Sequence, residues 1–590
     1  MKKHRCIEHK SRRMAGAMRK LTVLTLSALL AAAGPMGAAP ARAEAVTEAM
    51  AAAAVTETVT PQEEAAAADP YGTCYEIFVY SFCDSDGDGT GDLNGVAQKL
   101  DYIGDGDADT TDDLGCDRIW LMPVFPSPTY HKYDVTDYTA IDPAYGTMED
   151  FEALLAACHE RGIVLILDLP VNHTSSQHPW FMEAAAYLQN LSEGSEPDAE
   201  ACPYVDYYHF SRTPADGYAR LDEAGLDLPA DGGSEWYYEA RFWSGMPDLN
   251  LDSEAVRAEL TAVMKFWLDK GVDGFRLDAV TSYYTGDQQA NIDFMSWLYT
   301  AAAAIREDVY MVGEAWAAQE IYAAYYESGI DSLFDFAFAG EEGIIASVVR
   351  GTKPASAYVQ ALADEEALYD REAAAAGENG SAWAPVNAPF YTNHDMARSA
   401  GYYAYDDGSR TKLSGALNLL MTGCAYVYYG EELGMKGAGK DVNKRLPMYW
   451  SRDAGAGGMC DGPADADAVS MKFESYEEQK DDEMSVYRYY RQAIRLREQF
   501  PVIARGRTEV VDACCSRDIG TFLRTDAEGD YESVAIVINT SAYARQIDLR
   551  KCAAGAYMNL AASLNVSEDE PIMAGNTLTV PAFGVVVLTQ

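Results

Sequence analysis

Ile163-Val-Leu-Ile-Leu-Asp168-Leu-Pro-Val-Asn172-His173 is the stretch on which the fold turns. Its apolar run sits between Gly162 and Pro170, is too short for an ordinary helix, and reads as a strand buried on both faces. A carboxylate, a carboxamide and an imidazole follow at its end. Three further stretches repeat the pattern: Gly274-Phe-Arg276-Leu-Asp278, Gly313-Glu314-Ala-Trp316 and Thr392-Asn393-His394-Asp395. Four such ends, spread over much of the chain, imply one pocket assembled from separate strands. A parallel αβ barrel gathers its strand ends onto one face, where chemistry collects. Asp278, Glu314 and Asp395, with His173, His394 and Arg276, suit cleavage of a glycosidic bond, in which a nucleophile and a proton donor flank a sugar.

Working outward, Val272–Leu277, Val309–Val312, Leu333–Phe338 and Ala425–Tyr429 are similar apolar runs. Helix-period stretches lie between them. Ser253–Lys270 is one, with Ser253 placed as N-cap and Gly271 as C-cap. Strands alternating with helices fit either a barrel or a doubly wound sheet, and periodicity alone leaves both open. Residues 174–245 form a long irregular insertion. After residue 505 strand and turn signals replace helices, as in Ser533–Asn539 and Thr577–Thr589, so an antiparallel β-domain is expected at 505–590.

The chain has 590 residues, 48% of them hydrophobic, enough for a large core and more than one domain. Its 45 basic and 92 acidic residues give a net charge of −47. Such a surface repels nucleic acid and anionic membranes and tolerates a neutral substrate. Residues 1–43 read as a signal peptide: a basic n-region, an apolar run from Leu21 to Ala33, and Ala41-Arg42-Ala43 as the cleavage pattern. The apolar run is too short to span a bilayer comfortably, so no stable membrane insertion is expected after the leader is removed. Residues 44–70, rich in Ala, Thr and Glu, read as a disordered linker. Of 11 cysteines, Cys6 leaves with the leader; no CxxC pair suggests zinc, and disulfide connectivity is not legible. Cys158 and Cys424 lie in apolar runs and read as buried thiols.

In order and spacing, the four stretches resemble the four motif regions of the α-amylase family, glycoside hydrolase family 13. Tyr71–Phe82 resembles its first barrel strand, and Asp117–Pro123 its second. Tyr130-His131-Lys132-Tyr133-Asp134 resembles the loop lining the sugar site, and Met246-Pro247-Asp248-Leu249-Asn250 the fifth motif. Tyr428-Tyr429-Gly430-Glu431-Glu432, with Arg445 and Pro447-Met448, resembles the end of the eighth strand and the loop beyond. The resemblance covers about residue 71 to the C-terminus. It implies a (β/α)8 TIM barrel at 71–173 and 246–504, with the insertion as a B domain after strand 3. It places Asp278 as nucleophile, Glu314 as acid/base and Asp395 as the third carboxylate, in a retaining mechanism with Asp278 and Glu314 roughly 5 Å apart. It places Tyr133, His131, His173, Arg276, His394 and Arg398 around the sugar.

Asp84-Ser-Asp86-Gly-Asp88-Gly-Thr90-Gly-Asp92 alternates oxygen donors with glycines, which suits a hard cation. It matches the first half of an EF-hand loop, but Gly95 stands at the twelfth position where a bidentate Glu belongs. The oligo-1,6-glucosidase branch has this pattern after its first strand, where it binds Ca²⁺. That implies Asp84, Asp86, Asp88, Asp92 and the Thr90 carbonyl as ligands. The neighbouring acidic loop, Asp105–Asp113, reads as solvated. Thr281 and Ser282 replace the Lys-His pair that the family uses at another calcium site. The MPDLN form of the fifth motif resembles the intermediate subfamily between oligo-1,6-glucosidases and neopullulanases, and Ala279 after the nucleophile hints at α-1,4 linkages.

The resulting expectation is a secreted, monomeric α-amylase that hydrolyses internal bonds of an α-glucan or maltooligosaccharide. An exo-acting α-glucosidase or 4-α-glucanotransferase is the alternative. A non-catalytic sugar-binding relative is the remote one, since the catalytic carboxylates are present. Export predicts a mature N-terminus near residue 44, and intact-mass spectrometry of exported protein checks it; retention of Met1 would refute the leader.

Overall fold

The computed structural model describes residues 69–590 apart from 108–109, 193, 227–233, 378–384 and 552. The expected leader and all but the last two residues of the expected linker lie outside the described residues. In chain order the strands of the first part are β1 (Thr73–Ile77), β2 (Arg118–Leu121), β3 (Val164–Leu169), β4 (Phe210–Ser211), β5 (Tyr218–Arg220), β6 (Tyr237–Glu239), β7 (Gly274–Leu277), β8 (Tyr310–Gly313), β9 (Ser332–Phe334), β10 (Val386–Ala388) and β11 (Ala425–Tyr428). Eight of them form one parallel sheet in the order β10-β9-β8-β7-β3-β2-β1-β11. Cys424 N–H donates to the Asn387 carbonyl (2.8 Å) and Tyr426 N–H to that of Pro389 (2.7 Å). These bonds join the two edges of the sheet, so the barrel, not the open sheet, is the architecture.

Side-chain alternation sorts the strands into two cores. Cys74, Trp120, Ile166, Tyr310, Val312, Phe334, Ala388 and Tyr426 fill the barrel interior. Their neighbours Tyr75, Ile77, Ile119, Leu121, Leu165, Leu167, Phe275 and Met311 face the surrounding helices. The inward series ends in polar residues on three strands: Glu76 after Cys74, Asp168 after Ile166, and Glu314 after Val312. On β7 it runs Gly274, Arg276, Asp278. Each apolar strand therefore delivers its charged residue to the same end of the barrel.

The helix expected at Ser253–Lys270 spans Glu254–Lys270, with the Ser253 hydroxyl capping Val256 N–H and Gly271 closing it at φ 104°. Cys158 and Cys424 are buried. The run Leu333–Phe338 is shorter as a strand than expected. It leaves the sheet after Phe334 because the Asp335 carboxylate accepts bonds from Tyr322 Oη (2.7 Å) and Ala337 N–H (3.1 Å). Within the insertion, β4, β6 and β5 make a small antiparallel sheet.

From Arg507 the chain builds a five-stranded antiparallel sheet faced by a three-stranded one. Val537, Val586 and Leu588 of the first meet Leu578 and Val580 of the second. Arg524 ties this unit to the barrel: its guanidinium pairs with Glu366 (2.8 Å) and donates to the Leu420 carbonyl (2.8 Å). The loop Asp105–Asp113 is exposed at Asp107 and Asp112, as expected, but its last residue is not. Asp113 is buried and ion-paired with Arg495, because a helix remote in sequence packs over it. Among the described residues no helix is long and apolar enough to cross a membrane.

Candidate active site

Arg276 is the hub. Its fully buried guanidinium contacts Asp168 (2.9 and 3.0 Å), Asp278 (2.6 Å) and Glu314 (2.8 Å), and lies 5.0 Å from the Trp120 ring centroid. One planar cation thus bridges the expected nucleophile and the expected acid/base.

Glu314 is buried. Its Oε2 also accepts the Ala279 N–H (3.2 Å), while Oε1 has no hydrogen-bond partner among the described residues. Burial pushes its carboxyl up to about 7, with Asp278 and Asp395 adding to the rise against the opposing pull of Arg276. The group can therefore hold and give up a proton near neutrality. Ala279 has φ 43°, in the left-handed region. A β-branched side chain would be strained at this turn.

Asp395 accepts from Arg445 Nη2 (2.8 Å) and lies 3.3 Å from His394 Nε2. Burial pushes its carboxyl up, but His394, Arg445 and Arg276 outweigh that and hold it below the usual range. Tyr133 stacks on His394, with ring centroids 5.6 Å apart, and its hydroxyl donates to Asp168 Oδ2 (2.9 Å). Burial pushes the Asp168 carboxyl up to about 6, Arg276 opposing.

His131 accepts the Tyr133 N–H at Nδ1 (3.2 Å), which leaves Nε2 as its donor. Burial lowers its pKa, with Asp134 opposing. Between these two rings Lys132 adopts φ 67° and turns away to a buried ion pair with Asp142 (2.6 Å). That reversal lets His131 and Tyr133 face the same pocket. His173 is buried, with Nε2 3.3 Å from the Tyr133 carbonyl and burial lowering its pKa. The bridge His173–Asp248 and the bond from Asn172 Nδ2 to Asp248 (3.1 Å) join the β3 end to the fifth-motif stretch.

Arg398 corrects the expectation. It was placed among sugar-binding groups, but it is fully buried, donates to the carbonyls of Tyr429 (2.5 Å) and Lys444 (3.2 Å), and lies over the Tyr428 and Tyr429 rings. The chain returning after β11 encloses it, so it supports that loop. Glu76, absent from the expected set, reaches His394 Nδ1 at 2.6 Å. Its only sequence signal is an acid at an inward position of an apolar strand.

In the acidic loop the Asp84, Asp86 and Asp88 carboxylates converge, with ligand atoms within 4.8 Å of one another. Asp84 is oriented by the N–H groups of Gly87 (2.6 Å) and Gly89 (2.8 Å). Asp92 faces elsewhere: it caps the helix Leu93–Gln98 through Gly95 N–H (2.7 Å) and accepts from Ser85 N–H (2.7 Å) and Oγ (2.8 Å).

Two exposed aromatic rings lie beside site residues. Phe242 lies against His173, with centroids 5.2 Å apart, and is 48% exposed. Trp316 stacks on Phe336 at 5.1 Å and is 53% exposed. That pair borders a groove of about 510 Å³ that also meets Glu341, Asp395 and Tyr402.

Residues 76–506 match the family described as "Alpha amylase, catalytic domain". The chain is 37% identical to Alpha-amylase 3 of Dictyoglomus thermophilum over 74% of this chain and 78% of that protein. It is 30% identical to the probable oligo-1,6-glucosidase 3 of Bacillus subtilis over 74% of this chain and 85% of that protein. The solved structure of Eubacterium rectale Amy13B superposes with a TM-score of 0.81 at 44% identity, covering 88% of this chain and 96% of that one.

The elevated Glu314 value carries a prediction. The folded carboxyl keeps its proton up to about 7, whereas an unperturbed one loses it near 4.5. Its contribution to stability is therefore fully present below 4.5 and is lost as pH rises through about 7. Glu314→Gln removes this contribution, so its melting temperature falls less steeply with rising pH across that window than that of the parent. Parallel melting curves would contradict the assignment.

Proposed function

The chain belongs to the alpha-amylase family of glycoside hydrolases, and we propose that within it this protein is an exported, endo-acting hydrolase of α-1,4-linked glucans working with retention. The observation that carries this reading is the single Arg276 guanidinium bonded to Asp278 and paired with Glu314. A contact shared in this way holds the two carboxyl groups on one guanidinium, as a pair that flanks a single sugar in a retaining reaction requires.

In the first half-reaction Asp278 attacks the anomeric carbon. Glu314 gives its proton to the leaving glycosidic oxygen, leaving a glycosyl ester on Asp278. In the second, the Glu314 carboxylate takes a proton from water, the water oxygen attacks the same carbon, and Asp278 leaves. Asp395 holds ring hydroxyls, and Tyr133, stacked on His394, provides the face beneath the sugar. Endo-action is supported by the exposed rings of Phe242 and Trp316, which offer surfaces for sugar units beyond the one being cleaved. Export is supported by the Ala41-Arg42-Ala43 pattern behind a basic and apolar run, and by Cys514, which is disulfide-bonded.

Calcium is part of the same proposal. Asp84, Asp86 and Asp88 offer an all-oxygen donor set, with the Thr90 carbonyl as a further ligand. The ion would fasten the loop beneath the first strand and would take no part in bond cleavage.

Reducing-end-labelled maltoheptaose decides the mode of action. The expected early products are labelled maltose and maltotriose. Release of single glucose units would identify an exo-glucosidase, and products longer than the substrate would identify a transferase. For calcium, a chelator is expected to lower the melting temperature, calcium to restore it, and Asp88→Asn to abolish the shift; unchanged melting with chelator would remove the ion from the account.

A further inference from the structure

Glu76 is the inward residue at the end of β1, one step beyond Cys74 in the barrel interior. It is 1% exposed, and its Oε1 lies 2.6 Å from His394 Nδ1. The other imidazole nitrogen, Nε2, is 2.7 Å from Tyr133 Oη and 3.3 Å from Asp395 Oδ2. Tyr133 gives its hydroxyl proton to Asp168 (2.9 Å), so toward His394 its oxygen presents lone pairs. Both ring nitrogens therefore face acceptors. A neutral imidazole carries one N–H and satisfies one of them; the imidazolium satisfies both.

We propose that Glu76 is a positioning residue for the glycosidic reaction: it holds His394 as a doubly protonated imidazolium, oriented by a carboxylate on each side, against Asp395. The inference rests on the hydrolase reading above and adds to it a residue outside the sugar contacts.

The charged and titratable groups facing this ring come from every neighbouring element. Glu76 rises from β1, Tyr133 from the loop after β2, Asp168 from β3, Arg276 from β7 and Glu314 from the end of β8. Asp395 is the ring's own neighbour in sequence, and Arg445 enters from the loop beyond β11. Trp120 closes one side edge-on at 5.6 Å. Burial works against the charged ring, but Asp395 and Glu76 outweigh it, so the pKa of His394 lies above its ordinary value. The resulting cation keeps the Asp395 carboxylate ionised and fixed for its sugar hydroxyl. Replacing Glu76 by a neutral group of the same shape removes one of the two charges that retain the second proton.

The test uses Glu76→Gln and Glu76→Asp in the full chain, labelled with ¹⁵N-histidine. The His394 signals are identified by their absence from His394→Asn. In the parent both ring nitrogens of His394 are protonated at neutral pH. In Glu76→Gln one of them is unprotonated at the same pH. With it kcat falls roughly tenfold to a hundredfold, the range for one lost hydrogen bond to a charged group, while KM changes little. Glu76→Asp restores the doubly protonated ring and most of the turnover.

Parental kcat in Glu76→Gln overturns the proposal. So does a loss of kcat while His394 keeps both protons, because that is a structural effect alone. If Glu76→Gln does not fold, the parent decides: a singly protonated His394 at neutral pH overturns the idea, and a doubly protonated one that Glu76→Asp preserves upholds it. A parent inert on starch would defeat the hydrolase reading and leave the NMR result standing by itself.

Discussion

One buried cation organises the strand ends. Arg276 meets Asp168, Asp278 and Glu314 with no solvent on its side chain. Removing one partner from a buried pair typically costs about 3–5 kcal/mol, because the remaining charge is stranded in a poor solvent. Here the guanidinium is shared by three carboxyls, so its loss would strand all of them. The pairing is written into the sheet itself: Asp168 and Arg276 are register partners on β3 and β7. A slip of one residue in either strand would turn its charge into the helix layer and leave the other unpaired. Gly274 serves the same arrangement two residues earlier, since a Cβ there would sit 1.8 Å from the Tyr310 carbonyl of β8. Close approach of β7 and β8 is what brings Glu314 within reach of the cation.

Much of this was legible because strand chemistry is local. An apolar run bounded by Gly162 and Pro170 becomes β3, and Ser253 and Gly271 bound a helix whose caps obey ordinary rules. The charged residue at each strand's end follows from alternation once the inner face is known. Closure of the sheet was not local. The bonds joining β10 to β11 link segments that show no mutual signal, and family resemblance had to choose the barrel. Strand ends were also overestimated where a polar side chain captures the backbone, as Asp335 does after β9.

The residues that were misread or missed share one cause. Arg398 follows the fourth motif closely and carries the charge expected of a sugar ligand. Carbonyls of Tyr429 and Lys444, more than thirty residues further on, enclose it instead. Asp113 belongs to an acidic run that looks solvated, yet its partner Arg495 arrives from a helix 382 residues away. Glu76 stands 318 residues from His394. In each case composition describes the local segment correctly, and the deciding atom comes from a distant one. Where both partners fall inside recognised motifs, as Arg276, Asp278 and Glu314 do, the site could be assembled in advance.

The distribution of cations also explains why burial acts on Glu314 with little to oppose it. Arg276 is engaged by Asp168, Asp278 and Glu314, while Arg445 and His394 are directed at Asp395. Glu314 holds the least favourable share: Oε2 receives a backbone N–H and one edge of the guanidinium, and Oε1 receives nothing among the described residues. Ionising it adds negative charge beside Asp278 and Asp395 in a poor solvent, so the proton stays there by default. That placement suits bond cleavage. In the mechanism proposed above, the pocket gains negative charge as Glu314 gives its proton to the leaving oxygen, just as positive charge develops on the sugar ring. On that proposal the proton donor is the carboxyl last in line for a cation, and the same shortage provides the field that its departure requires.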